Sequence, residues 1–360
     1  MLVGEEKHLP YDRPPLSKDL LAGERSVESV FLRDEQRFAA LDVELVLGTR
    51  ATALDLRSRQ LLLGDARLPF DGLILATGAA ARRLPGLDGP DVHLLRTLDD
   101  ALALRTALES ARSLAVVGAG FIGSEVASTA RARGIAVTVV ELEEIPLARV
   151  LGPQLGAACA RLHVAAGTDL RLGVTVAERL PGAVRLTDGS TVEADAVVVG
   201  AGAVPAVAWL EGSGLELGNG VVCDETLSAG VPGVYAVGDI ASWPNELFGR
   251  RQRVEHWTNA AEQARHAARN LLHGRADPFL GSNYVWSDQY GVRIQFVGVK
   301  TDDVEVVAGS LDEGPFLAWY REDGRLVGAL AIGMPREAMK TKLAIEARLA
   351  WADALRALEE

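Results

Sequence analysis

The sequence predicts an α/β chain built from two similar halves and closed by a small α+β domain. A glycine-rich turn lies between two short apolar strands within residues 113–140. An apolar strand running into such a turn recurs at 70–86 and at 194–205. From about residue 284 the pattern changes to strands of alternating polarity and then a charged amphipathic stretch. At 360 residues the chain is long enough for two or three domains.

Taken in order, the elements repeat a common grammar. The opening LVGEE reads as an apolar strand ending in an acid, and TVVELEE repeats it later. DRPPLSK follows the first as a loop whose prolines fix φ. FDGLILATGAAARRLPG is a strand entering a glycine turn, and ADAVVVGAGAVP has the same shape. Between them stands SLAVVGAGFIGSEVASTARARGIAVTVVELEE: a buried strand at 113–117, a GxGxxG turn, an amphipathic helix to about Arg133 capped by Gly134, and a strand at 136–140 that ends at Glu141. GVYAVGDIASWP is a further strand with Asp239 at its end, and a loop rich in arginine then feeds a long helix. Strands within 284–332 and one helix over 335–358 complete the chain.

A lone GxGxxG says little. Here Gly118, Gly120 and Gly123 follow a strand, open a helix, and meet Glu141 23 residues after Gly118. Gly118 permits the tight turn, Gly120 lets the backbone approach a pyrophosphate, and Gly123 allows close helix–sheet packing. The helix N-terminus supplies N–H groups and positive potential for phosphate. Glu141 is placed to accept from a ribose hydroxyl and to repel a 2′-phosphate, so NADH is expected over NADPH. The expected NAD set from this unit is Gly118, Gly120, Phe121, Ile122, Gly123 and Glu141, with Gly202 in the later glycine turn.

Composition narrows the remaining classes. The net charge of −12 argues against nucleic acid as a partner. No apolar run reaches the length of a membrane span and the start is not a signal peptide, so the cytoplasm is the expected compartment. Cys159 and Cys223 are far apart and form no CxxC, which leaves them as buried small residues. The six histidines show no metal spacing, and no metal site is expected.

Six stretches in order, PYDRPPLSKDLL, LATGA, the GxGxxG unit, VYAVGDIA, EHWTNAAEQA and WSDQYG, make the chain resemble the FAD-dependent NADH:ferredoxin reductases over essentially its whole length. The resemblance implies two Rossmann-like dinucleotide-binding domains of glutathione reductase type plus a small C-terminal α+β domain. The implied division is an FAD-binding domain at 1–97 and 221–279, an NAD-binding domain at 98–220, and a C-terminal domain at 280–360. By the same resemblance, Glu5, Arg13, Lys18, Ala51, Thr77, Gly78, Arg96, Asp239 and Trp257 are FAD contacts. Lys18 and Glu125 are implied to pair beside the flavin, facing the nicotinamide. The helix end at Trp257 is implied to face the negative edge of the reduced flavin.

The implied reaction passes hydride from NADH to FAD and then single electrons to a ferredoxin or rubredoxin, serving an oxygenase. The first 158 residues contain no cysteine, so the thiol relay of related disulfide reductases is excluded at that site. Arg250, Arg251 and Arg253 before Trp257, Trp286 in WSDQ, and Arg336 and Lys340 near the chain end are the expected exit and docking residues. Two alternatives stand beside it: a flavin oxidoreductase of the same fold using oxygen, a quinone or a dye, and, in a different class, a redox-sensing interaction protein resembling apoptosis-inducing factor. The oligomeric state stays open between monomer and homodimer. The glycine offset seen before Glu141, applied before Glu5, lands about eighteen residues ahead of Met1. The first strand, glycine turn and helix of the FAD half, roughly thirty residues in such folds, are therefore expected to be missing. A misplaced start or an inactive fragment would account for that.

Overall fold

The computed structural model describes residues 1–312 and 314–359. They form two compact units. The first comprises Met1–Arg13, Val27–Ala80 and Val204–Asn283, and the second Pro14–Ser26, Ala81–Ala203 and Tyr284–Glu360.

In the first unit the opening strand Leu2–Val3 pairs in parallel with Leu45–Val46. A small meander follows: Ala53–Asp55, Gln60–Leu63 and Ala66–Pro69 pair antiparallel in that order. Leu73–Leu75 runs parallel to Val234–Ala236, with Tyr235 opposite Ile74. Leu54, Leu75, Val221, Val234, Trp243 and Phe279 lie in one apolar core. The arginine-rich segment expected as a loop contains a strand, Arg250–Gln252, paired antiparallel with Ala241–Asn245. The helix Trp257–His273 follows and stops at Gly274, whose φ of 59° is left-handed.

In the second unit five parallel strands lie in the order Asp169–Leu172, Ala136–Glu141, Ser113–Val117, Ala196–Val199, Val92–His93. Parallel sheets are covered on both faces, and Ser113–Val117 shows how. Leu114 and Val116 enter one apolar cluster, Ala115 and Val117 another, as the period of two requires. The helix Leu98–Ser110 starts at a capping box of Thr97 and Asp100. Phe121–Ala132 is the helix read from the glycine turn, and Gly134, at φ 79°, turns the chain into Ala136–Glu141.

The C-terminal segment of that unit is an antiparallel sheet in the order Val285–Gln289, Val292–Gly298, Arg325–Ile332, Phe316–Glu322, Val304–Gly309. The helix Pro335–Glu346 covers it, and Trp319 Nε1 donates to Thr341 Oγ1 at 3.0 Å. The single helix expected over 335–358 is in fact two, Pro335–Glu346 and Trp351–Glu359. Tertiary contacts overrule the helical pattern between them. Trp351 packs edge-on against Trp319 with ring centres 5.6 Å apart, and the Trp351 N–H donates to Gly324 O at 2.9 Å. Arg348 takes a left-handed φ of 55° to let the chain turn.

Candidate active site

In the second unit the glycine turn is shaped by backbone crowding. A Cβ on Gly123 would lie 2.1 Å from Gly118 O, and one on Gly118 would lie 2.5 Å from Gly200 O. Gly118 also needs its φ of 108°. Gly120 is different: a Cβ there meets nothing within 4 Å among the described residues. Gly120 is the N-cap of Phe121–Ala132 and supplies no side-chain cap, so the first N–H groups of that helix are left for a ligand. Ile122 is 47% exposed at that end, and Gly202, at φ 91°, is exposed. The Glu141 carboxylate lies against the turn, where Oε2 accepts from Ala119 N at 2.7 Å and Oε1 from Glu143 N at 3.0 Å. Open space, uncapped N–H groups and a carboxylate at the end of the second strand together fit NADH.

The same helix carries Glu125, buried at 3% exposure. Lys18 Nζ stands 2.7 Å from Glu125 Oε2. Ser17 Oγ donates to that oxygen at 2.5 Å, and Ser287 Oγ donates to Oε1 at 2.6 Å. Local structure brings these together. The prolines of the 3₁₀ turn Pro14–Ser17 set φ, and Ser17 O accepts from Thr129 Oγ1 at 2.8 Å, which docks the turn on the helix. Leu21, in the short helix Asp19–Ala22, enters the same apolar cluster as Val126 and Ala130. Arg96 lies in this unit as well; its N–H donates to Asp100 at the capping box.

Behind Glu125 lies a second polar set. His163 Nε2 bonds Ser124 Oγ at 3.1 Å, its Nδ1 bonds Tyr290 OH at 2.8 Å, and Tyr290 OH bonds Thr168 Oγ1 at 3.1 Å. Burial lowers the His163 pKa from 6.5 to about 4. The unfolded chain therefore binds a proton there near pH 6.5 and the native chain only near pH 4. That stability is fully present above pH 6.5 and is lost as pH falls through 4, by about 3 kcal/mol. His163→Gln is expected to flatten this acid limb in urea melts taken between pH 7 and 4. An unchanged limb would assign it to other groups.

In the first unit the residues expected at the flavin take these positions. Glu5 is exposed and pairs with Arg50 at 3.0 Å. Arg13 pairs with Glu6 at 2.8 Å. Ala51 packs on the apolar core. Thr77 Oγ1 donates to Ala206 O at 2.8 Å, beside Gly78 at φ 68°. Asp239 is buried at 8%, and its carbonyl accepts from Arg253 Nη1 at 2.9 Å. Trp257 begins its helix at 46% exposure, and the N-cap His256 gives no side-chain cap. The buried His256 Nδ1 has no hydrogen-bond partner among the described residues. A helix start that receives no cap from the His256 side chain, beside that ring's unsatisfied nitrogen, fits a polar ring edge such as that of FAD.

Comparison with known proteins decides the family. The pyridine nucleotide-disulphide oxidoreductase pattern matches residues 1–264, and the reductase C-terminal pattern matches 284–357. The chain belongs to this family. The ferredoxin–NAD(+) reductase component of the p-cumate 2,3-dioxygenase system of Pseudomonas putida is 38% identical over 342 residues, 93% of this chain and 84% of that protein. Putidaredoxin reductase of Pseudomonas putida is 35% identical over 362 residues, covering 97% and 86%. The crystal structure of the covalent putidaredoxin reductase–putidaredoxin complex matches with a TM-score of 0.94 at 34% identity, covering 99% of this chain and 91% of that one.

The reductase is thus an NADH-dependent FAD oxidoreductase of mixed α/β fold. Its arginines at 250–253 also serve the fold: Arg251 is exposed and Arg250 and Arg253 half-buried. Arg251 Nη1 donates to Cys223 O at 2.9 Å and to Ser242 O at 2.6 Å. Arg253 donates to Asp239 O and pairs with Glu255 at 2.6 Å, and Arg250 Nε donates to Phe248 O at 3.2 Å. Trp286 is half-buried and stacks on Tyr284 with ring centres 6.1 Å apart. Arg336 is exposed and Lys340 half-buried on the helix Pro335–Glu346. Sequence reasoning missed Ser17, Ser287, Gln289 and His163. The alternation of Ser287 and Gln289 within VWSDQ puts both on one strand face but does not tell that this face is buried.

Proposed function

We propose that the reductase takes hydride from NADH at the Lys18–Glu125 pair and passes electrons singly to a ferredoxin that serves an oxygenase, in the cytoplasm. FAD, when bound, accepts the hydride and releases its electrons one at a time. Phe121–Ala132 binds the pyrophosphate of NADH through Gly120 and its free N–H groups, and Glu141 takes the ribose. Glu125 holds the Lys18 ammonium where nicotinamide meets flavin, so orientation rather than covalent chemistry is what these residues contribute. The ion pair of half-buried Lys18 with buried Glu125, made without cysteine, carries this reading. Burial raises both thiols, Cys159 and Cys223, to about 12, so neither supplies the thiolate a disulfide relay requires.

An iron–sulfur protein is the acceptor favoured by that absence and by the named relatives. For docking, Arg336 and Lys340 supply positive charge, on a protein of net charge −12, that suits an acidic ferredoxin, with Trp286 as the aromatic at the exit. The deciding experiment follows flavin bleaching by NADH under anaerobic stopped flow, then cytochrome c reduction with and without a [2Fe–2S] ferredoxin. Rapid bleaching and a ferredoxin-dependent rise in cytochrome c reduction are expected. Bleaching with no ferredoxin effect would overturn the partner, and no bleaching by NADH would overturn the reductase reading.

A further inference from the structure

Glu125 receives more donors than its pairing with Lys18 requires. Its two oxygens are treated differently: Oε2 meets Lys18 and Ser17, while Oε1 accepts from Ser287. Ser287 is fully buried on the strand Val285–Gln289. Two residues on, and so on the same face, Gln289 is also buried, and its Nε2 donates to Ser287 Oγ at 3.0 Å. An amide nitrogen can only donate, so the Ser287 hydroxyl proton is directed away from Gln289 and onto Glu125. Gln289 Oε1 is left buried with no hydrogen-bond partner among the described residues. A buried acceptor left unsatisfied while its amide serves one hydroxyl calls for a functional reason.

We propose that Ser287 and Gln289 are positioning residues that lock the Glu125 carboxylate so that Oε2 alone is presented to Lys18. With Oε1 tied to the sheet, the carboxylate cannot rotate about its last bond, and the Lys18 ammonium keeps one geometry. Ser17 and Lys18 lie on one loop and contact one oxygen, so they cannot supply this lock themselves. Strand Val285–Gln289 supplies the second point of attachment. The functional consequence rests on the reading of Lys18–Glu125 as the hydride-transfer pair.

Two measurements test it. In the reductively methylated protein, the ¹³C-dimethyl signal of Lys18, assigned by its loss in Lys18→Arg, is expected to move in Ser287→Ala and in Gln289→Leu. It is expected to stay in place in Ser287→Thr, which keeps the hydroxyl. In the FAD-loaded enzyme, Ser287→Ala is expected to slow hydride transfer about tenfold with NADH affinity nearly unchanged, and Ser287→Thr to restore most of the rate. An unmoved Lys18 signal in Ser287→Ala would overturn the proposal. An equal displacement in Ala and Thr variants would overturn it too, because packing rather than the hydroxyl would then matter. If the Lys18 signal behaves as expected while Lys18→Met leaves hydride transfer intact, the lock stands and the hydride-transfer reading falls.

Discussion

Gly123→Ala is expected to destabilise the nucleotide-binding unit by about 3 kcal/mol or more and to abolish NADH binding with it. The new methyl would lie 2.1 Å from Gly118 O and 3.3 Å from Val116 Cγ1. Neither can give way easily: Gly118 is held at φ 108° and Val116 is fully buried in the strand Ser113–Val117. The helix Phe121–Ala132 would have to lift from the sheet, taking its N-terminus and Glu125 along. Gly120→Ala supplies the contrast. Its φ of −74° suits any residue, and the methyl meets nothing within 4 Å among the described residues. The fold should therefore survive with a melting temperature within about 2 °C of the parent. The methyl would occupy the space needed for close approach of a pyrophosphate, and NADH affinity should fall about tenfold or more. Thermal melts and NADH titrations of both variants check this. A Gly123→Ala protein that melts like its parent would show that crowding at Gly118 O does not hold the turn, and a Gly120→Ala protein that binds NADH normally would show that the pyrophosphate does not approach there.

How much of this was legible depends on how local the cause is. The turn at Gly118, Gly120 and Gly123 was readable because its determinants lie within one strand–turn–helix and each glycine answers a contact made nearby. Lys18 and Glu125 are far apart in sequence, and neither a loop lysine nor a helix glutamate has a signature alone; the family resemblance supplied the pairing. Ser287 and Gln289 stayed hidden because polar residues alternating along a strand read as the wet face of a sheet. Here that face is buried against the helix that carries Glu125. The carbonyl contacts of Arg251 and Arg253 were not legible, because a backbone carbonyl pointing at a cation leaves no trace in residue types. The break in the last helix is hidden from the sequence for a related reason. Its helical pattern persists through 347–350, and only the pull of Trp351 onto Trp319 and of its N–H onto Gly324 breaks it.

Lys18→Met is expected to cost both stability and rate, and the two losses separate the electrostatics from the chemistry. Removing one partner of a buried ion pair leaves the other uncompensated, which typically costs about 3–5 kcal/mol. Glu125 is 3% exposed, but Ser17 and Ser287 still donate to it, so the loss should lie at the low end, about 3 kcal/mol. Glu125→Gln keeps the shape but places an amide NH₂ against Lys18 Nζ or against a hydroxyl that must donate, so it too should destabilise. In the double variant Lys18→Met with Glu125→Gln neither charge remains, and stability should recover beyond the sum of the single losses. The coupling from that cycle measures the pair itself. Rate should behave otherwise. If the Lys18 ammonium orients the nicotinamide and stabilises charge that develops at the flavin, its loss should slow hydride transfer about 10²-fold, and the double variant should stay slow even where stability returns. Urea melts and anaerobic stopped flow with NADH give the two readouts on the same proteins. Recovery of rate together with stability would mean that the pair serves the fold alone. Persistent slowness in a restabilised protein would assign Lys18 to the reaction.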